Sequence, residues 1–168
     1  GVPGNPEFGF GAVGEGGVAV VDHELVSRLG LDERVIDRIR TAEEIEVDRR
    51  VAKYRSGHPA SNLEGRTAII VDDGIATGAT ARTAVAIVRK RGARRVIVAA
   101  PVAAPDAVRM LSRVADEVIV LEQPPDFRAV GFHYLDFDQL TDDQVTDALA
   151  AALPHGVATT VAFPDNID

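Results

Sequence analysis

Two adjacent acids, Asp72 and Asp73, stand just ahead of Thr77, Gly78 and Thr80. Side by side, two carboxylates repel one another unless they accept hydrogen bonds from a ligand's hydroxyls or lie near a cation. The loop behind them, Gly74 to Thr80, is made of small residues and leads into a helical stretch. A loop that opens into a helix presents unpaired N–H groups and the positive end of the helix dipole, which together receive a phosphate. Gly78 permits a positive φ or the close approach of an oxygen, and the hydroxyls of Thr77 and Thr80 add donors. Each charge-assisted hydrogen bond to a phosphate is worth about 1.5 to 3 kcal/mol, so a few of them hold a phosphorylated ligand even on a wet surface. A sugar phosphate satisfies both halves, with its phosphate on the loop and vicinal hydroxyls on Asp72 and Asp73. The plain alternative is a solvated strand-end turn followed by a helix cap.

These residues need a frame. Ala68-Ile69-Ile70-Val71 is an apolar run suited to a strand buried on both faces, and Ala81 to Arg91 reads as a helix stopping at Gly92. Val96 to Ala100 and Glu117 to Leu121 supply two further strands, with a helix from Pro105 to about Val114 between them. This alternation predicts an α/β fold: a parallel sheet flanked by helices on both faces, with right-handed crossovers. Ligands of such sheets bind at the carboxyl ends of the strands, where Asp72 lies.

The flanks are less regular. Gly1 to Val21 carries a formal dinucleotide fingerprint, Gly9-Phe10-Gly11-Ala12-Val13-Gly14, without the strand before it and the helix after it that the motif needs. A glycine-rich hairpin with a mobile turn is the better reading. Residues 31–55 form a long charged helix whose Arg49, Arg50 and Lys53 belong to a solvated face rather than to an anionic ligand. The loop Ser56 to Gly65 delivers the chain to the central strand. Thr141-Asp142-Asp143-Gln144 is a capping box opening a helix to about Leu153. Residues 1–156 are thus one domain, and 157–168 are a tail that is either an edge strand or the start of a further domain.

Composition bounds the function classes. The 168 residues suit one domain, and 46% hydrophobic with 26% charged is ordinary globular chemistry. A net charge of −8 argues against nucleic acid or anionic membrane as a partner. Cysteine is absent, which removes disulfides and thiolate metal sites, and no apolar stretch approaches the roughly 20 residues that span a bilayer. With no signal-peptide pattern at the start, a cytoplasmic protein is expected. The chain begins at Gly1 and its only methionine is Met110, so a trimmed terminus or a segment of a longer protein is expected.

Val71-Asp72-Asp73-Gly74-Ile75-Ala76-Thr77-Gly78-Ala79-Thr80 resembles the signature of the type I phosphoribosyltransferases, which bind 5-phosphoribosyl-1-pyrophosphate (PRPP). The resemblance implies that family's Rossmann-like fold, with Asp72 and Asp73 on the ribose 2′- and 3′-hydroxyls and Ala76, Thr77, Gly78, Ala79 and Thr80 around the 5′-phosphate. It implies transfer of the phosphoribosyl group to a nitrogen nucleophile of the nucleobase class with release of pyrophosphate. It also implies magnesium held mainly by PRPP rather than by protein ligands, and it is compatible with a homodimer. Val130-Gly131-Phe132 is loosely similar to the purine-enzyme segment that stacks an aromatic ring on the base, which makes Phe132 the stacking candidate. Asp136 stands about one position from that segment's metal-reaching acid, and anchoring of a carboxyl-terminal strand by Phe127, Phe132 and Phe137 is the competing reading. The family's pyrophosphate-binding strand and loop precede the region equivalent to Gly1 and have no counterpart in the sequence. Two rivals remain: a non-catalytic PRPP-sensing regulator, and a phosphoacceptor receiver domain. The receiver lacks its second strand-end aspartate and its lysine.

Overall fold

In the computed structural model, residues 2–3, 9–55 and 61–152 are described. Residues 56–60 of the expected loop, the helix end at Leu153 and the whole 157–168 tail lie outside them. The chain opens with an antiparallel hairpin, β1 (Gly11–Gly14) and β2 (Val18–Val21), paired from Gly11 opposite Val21 to Gly14 opposite Val18. Two helices follow, α1 (His23–Leu29) and α2 (Glu33–Arg55). Then come β3 (Thr67–Val71), α3 (Ala79–Lys90), β4 (Arg95–Val102), α4 (Pro105–Leu111), β5 (Glu117–Glu122) and α5 (Asp142–Ala152). β3, β4 and β5 form one parallel sheet in that order, with Ala68 opposite Val96 and Val98 opposite Val118.

The core lies on one face of this sheet. Ala68, Val96, Val98 and Ala100 point toward Ala81, Val85 and Val88 of α3 and toward Ala107 and Leu111 of α4. Val96, Val98 and Leu111 are fully buried, each worth about 1.5 to 3 kcal/mol relative to exposure. The opposite face differs from the expectation of two-sided burial. Val71 is 74% exposed and Leu121 is 80% exposed, and Ile69 and Ile119 beside them are exposed too. Strand residues alternate between faces, so an unbroken apolar run is compatible with either one or two covering layers.

α3 is buried on two sides. Ala81, Val85 and Val88 meet the sheet, whereas Thr83 meets the hairpin, donating from its hydroxyl toward the carbonyl of Ala12 at 3.5 Å. The glycine-rich hairpin therefore sits on α3 and α2 in this structure, held also by an ion pair between Glu15 and Arg55. Arg91 adds a second cation 3.6 Å from Glu15. The segment that formally resembled a dinucleotide fingerprint is a strand and its approach, with no helix after it.

Candidate functional site

The acid pair begins where β3 ends. The Asp72 N–H donates to Ala99 O at 3.1 Å, and the Ile75 N–H donates to Val102 O at 3.0 Å, so the backbone from 72 to 75 remains registered against β4. The Asp72 carboxylate is aimed by the next amide along the chain, Asp73 N–H donating to Asp72 Oδ1 at 3.0 Å. Asp72 is half-buried, and its carboxyl is pushed up to about 6, first by desolvation and then by the neighbouring Asp73 charge. Desolvation also raises Asp73. Two acids held above the usual carboxylate range are poised to accept hydrogen bonds or a positive charge.

The loop then turns into α3 at Gly78, whose φ of 75° is left-handed. A β-carbon there would lie 2.6 Å from Met110 Cε, the movable end of a flexible side chain, so it is the backbone angle above all that calls for glycine. The first bond back along the helix joins Arg82 N–H to Gly78 O at 2.9 Å. The amides of Ala79, Thr80 and Ala81 consequently have no intrahelical acceptor. Ala79 N–H makes a long contact with Thr77 Oγ1 at 3.4 Å. Ala76 and Thr77 are exposed, while Ala79 and Thr80 are half-buried. The structure thus brings Asp72, Asp73, Ala76, Thr77, Gly78, Ala79 and Thr80 onto one loop at the carboxyl edge of the sheet. Chemically, the loop offers hydrogen-bond acceptors at one end and anion-binding donors at the other.

The aromatic segment after β5 is not a strand. Val130–His133 forms a single 3-10 turn, and its neighbours are irregular. Phe132 is 77% exposed, Phe127 stacks on His133 at a centroid distance of 5.5 Å, and Tyr134 lies 5.1 Å from Phe137. This segment is fastened to the acid loop at two points. Val130 packs on Gly74, and the Tyr134 hydroxyl donates to the Asp73 carbonyl at 2.6 Å. Neither contact is legible in the sequence, although the concentration of aromatics marks the segment. Asp136 is exposed and belongs to no group of acids or histidines able to hold a metal among the described residues.

The cations of α2 serve structure. Arg49 and Arg50 pair with Glu46, and Lys53 lies 3.0 Å from Asp142 at the start of α5. Tyr54 donates to the same Asp142. Those contacts hold the Asp142 carboxyl well below its ordinary range.

With this geometry in view, comparison with known proteins is decisive at the level of family. The phosphoribosyl transferase domain family matches residues 15–136. Two proteins from strains of Mycobacterium tuberculosis, "Putative phosphoribosyl transferase MT0597" and "Putative phosphoribosyl transferase Rv0571c", are each 43% identical over 152 residues. The match covers 90% of this chain, and the chain spans 34% of the length of each relative. Among solved structures, TT1426 from Thermus thermophilus superposes with a TM-score of 0.68 at 42% identity, covering 90% of this chain and 71% of that one. The family's match includes the acid pair, the Gly78 turn and the aromatic segment as far as Asp136, and so this chain belongs to the phosphoribosyltransferase family.

Proposed function

We propose that the acid loop binds the sugar-phosphate part of PRPP, and that the protein transfers this phosphoribosyl group to a nitrogen nucleophile of the nucleobase class. The observation that carries the reading is the Asp72–Asp73 pair, raised above its usual titration range, directly ahead of a left-handed Gly78 and the first amides of α3. The 5′-phosphate fits the donors from Ala76 to Thr80. The vicinal hydroxyls fit the two carboxylates and relieve their mutual repulsion. Phe132, exposed on the segment pinned to the same loop, is the stacking surface for an acceptor ring.

In the transfer, the C1–O bond to pyrophosphate breaks and the C1–N bond forms, while the nucleophile gives up its proton. Positive charge develops on the sugar between these events. Asp72 and Asp73 stabilise that charge electrostatically. A magnesium ion would be held mainly by the oxygens of PRPP and by water, as suits a cation that keeps its waters, and would supply charge neutralisation for the leaving pyrophosphate.

Calorimetric titration of the full-length protein with PRPP and magnesium tests this reading. Asp72→Asn with Asp73→Asn should weaken binding by about 100-fold, the worth of two hydrogen bonds to charged groups. Unchanged affinity in that variant would sink it. Pyrophosphate release against a panel of nucleobases then identifies the acceptor, and tight binding of PRPP with no turnover on any base would make the protein a PRPP sensor instead.

A further inference from the structure

The Tyr134 hydroxyl reaches across 61 positions of sequence to the carbonyl of Asp73, donating at 2.6 Å. That carbonyl belongs to the peptide unit joining Asp73 to Gly74, directly beside the Cα that carries the Asp73 carboxylate. The peptide is planar, so fixing its carbonyl fixes the plane of the whole unit and restrains the direction in which the Asp73 side chain leaves the backbone. The peptide is gripped from a second side, because Val130 fills the space over Gly74. The ring of Tyr134 is itself held by Phe137, whose edge closes on Gly131. Both grips come from the aromatic segment, and both act on the 73–74 peptide.

We propose that Tyr134 is a positioning residue that sets the orientation of the Asp73 carboxylate and so couples the aromatic segment to recognition of the sugar hydroxyls. The inference rests on the sugar-phosphate reading of the acid loop. Its physical content is specific. The phosphate-binding half of the loop, from Ala76 to the first turn of α3, has its own supports in the Gly78 turn and in Met110 and Ala107 beneath it. Loss of the Tyr134 hydroxyl therefore degrades hydroxyl recognition and spares phosphate recognition. A general loosening of the fold would degrade both.

The test uses three probes on the full-length protein: ribose 5-phosphate, 2-deoxyribose 5-phosphate and inorganic phosphate. The wild type should prefer the ribose compound by at least about tenfold, the worth of one hydrogen bond to a charged group. Tyr134→Phe keeps the ring on Phe137 and removes only the oxygen. It should lower that preference about threefold to tenfold, as loss of a single neutral hydrogen bond does, with inorganic phosphate binding unchanged. Leu135→Ala, beside it on the same segment and fully exposed, should leave the preference at its wild-type value. If Tyr134→Phe retains the full preference, the positioning role is overturned while the sugar-phosphate reading stands. If its phosphate affinity falls in step with the sugar affinities, the hydroxyl is merely structural and the role is likewise overturned. A wild type that binds both sugar phosphates equally would overturn the underlying reading and this inference with it.

Discussion

A β-carbon on Gly74 would lie 2.4 Å from Cγ1 of Val130, inside any real carbon–carbon contact. The two residues meet where the acid loop and the aromatic segment touch. Gly74→Ala should therefore destabilise the protein by about 1 to 3 kcal/mol through overpacking. Gly74→Ala combined with Val130→Ala should cost less than the two single changes added together, because the second makes room for the first. Chemical denaturation of the four proteins measures this, and strict additivity would show that the two residues do not meet in solution.

Gly65 and Gly78 both have left-handed backbone, at φ of 70° and 75°, but nothing lies within 4 Å of a β-carbon built on Gly65. Gly65→Ala thus reads backbone strain alone, about 1 to 2 kcal/mol. Gly78→Ala adds the Met110 contact and should cost about 1 kcal/mol more. It should also weaken phosphate binding, which Gly65→Ala should not. Equal costs for the two would mean that Met110 yields freely.

Two aspartates should give the stability opposite dependences on pH. Asp72 titrates in the folded state near 6, above its unfolded value, so its favourable contribution is complete below about pH 4 and is lost as pH rises through 6. Asp72→Asn should accordingly melt above the wild type at pH 8, by about 5 °C, with the difference closing toward pH 4. Asp142 is depressed by Tyr54, Lys53 and Arg49. Its contribution is present above about pH 4 and fades as pH falls below that value. Asp142→Asn should melt below the wild type at pH 7, with the difference shrinking at pH 3. Melting scans across this range check both signs.

Phe132→Ala should separate acceptor from donor. On the proposed function it removes a stacking surface worth about 1 to 3 kcal/mol per base. The KM for the nucleobase acceptor should rise about tenfold or more, while the affinity for PRPP stays at its wild-type value. Parallel changes in both constants would remove Phe132 from the acceptor site.

Much of the fold follows rules that act over a few residues, and those parts were readable. The Thr141 capping box forms as its spacing requires: Gln144 N–H donates to Thr141 Oγ1 at 3.3 Å, and Gln144 Oε1 accepts from Thr141 N–H at 2.8 Å. The strand, acid pair, small-residue loop and helix from Thr67 onward were legible for the same reason, as were β4 and β5. α1 was missed, although Asp22 caps it by accepting from Leu25 N–H at 2.9 Å and Gly30 ends it with left-handed backbone. It is only seven residues long and buries none of them, so it carries no apolar stripe to reveal it.

By itself, then, the sequence determined the order of β3, α3, β4, α4 and β5, the small-residue turn into α3 and the family to which the chain belongs. These depend on neighbours in the chain: caps, apolar period and the steric demands of glycine. Only the tertiary structure decided that α3 and α4 share one face of the sheet, that the glycine-rich hairpin sits on α3, and that the aromatic segment curls into a turn against Gly74. It alone joined Tyr134 to Asp73 and Lys53 to Asp142. Such pairs are set by how whole elements pack, and no local pattern encodes a contact between groups 61 or 89 residues apart.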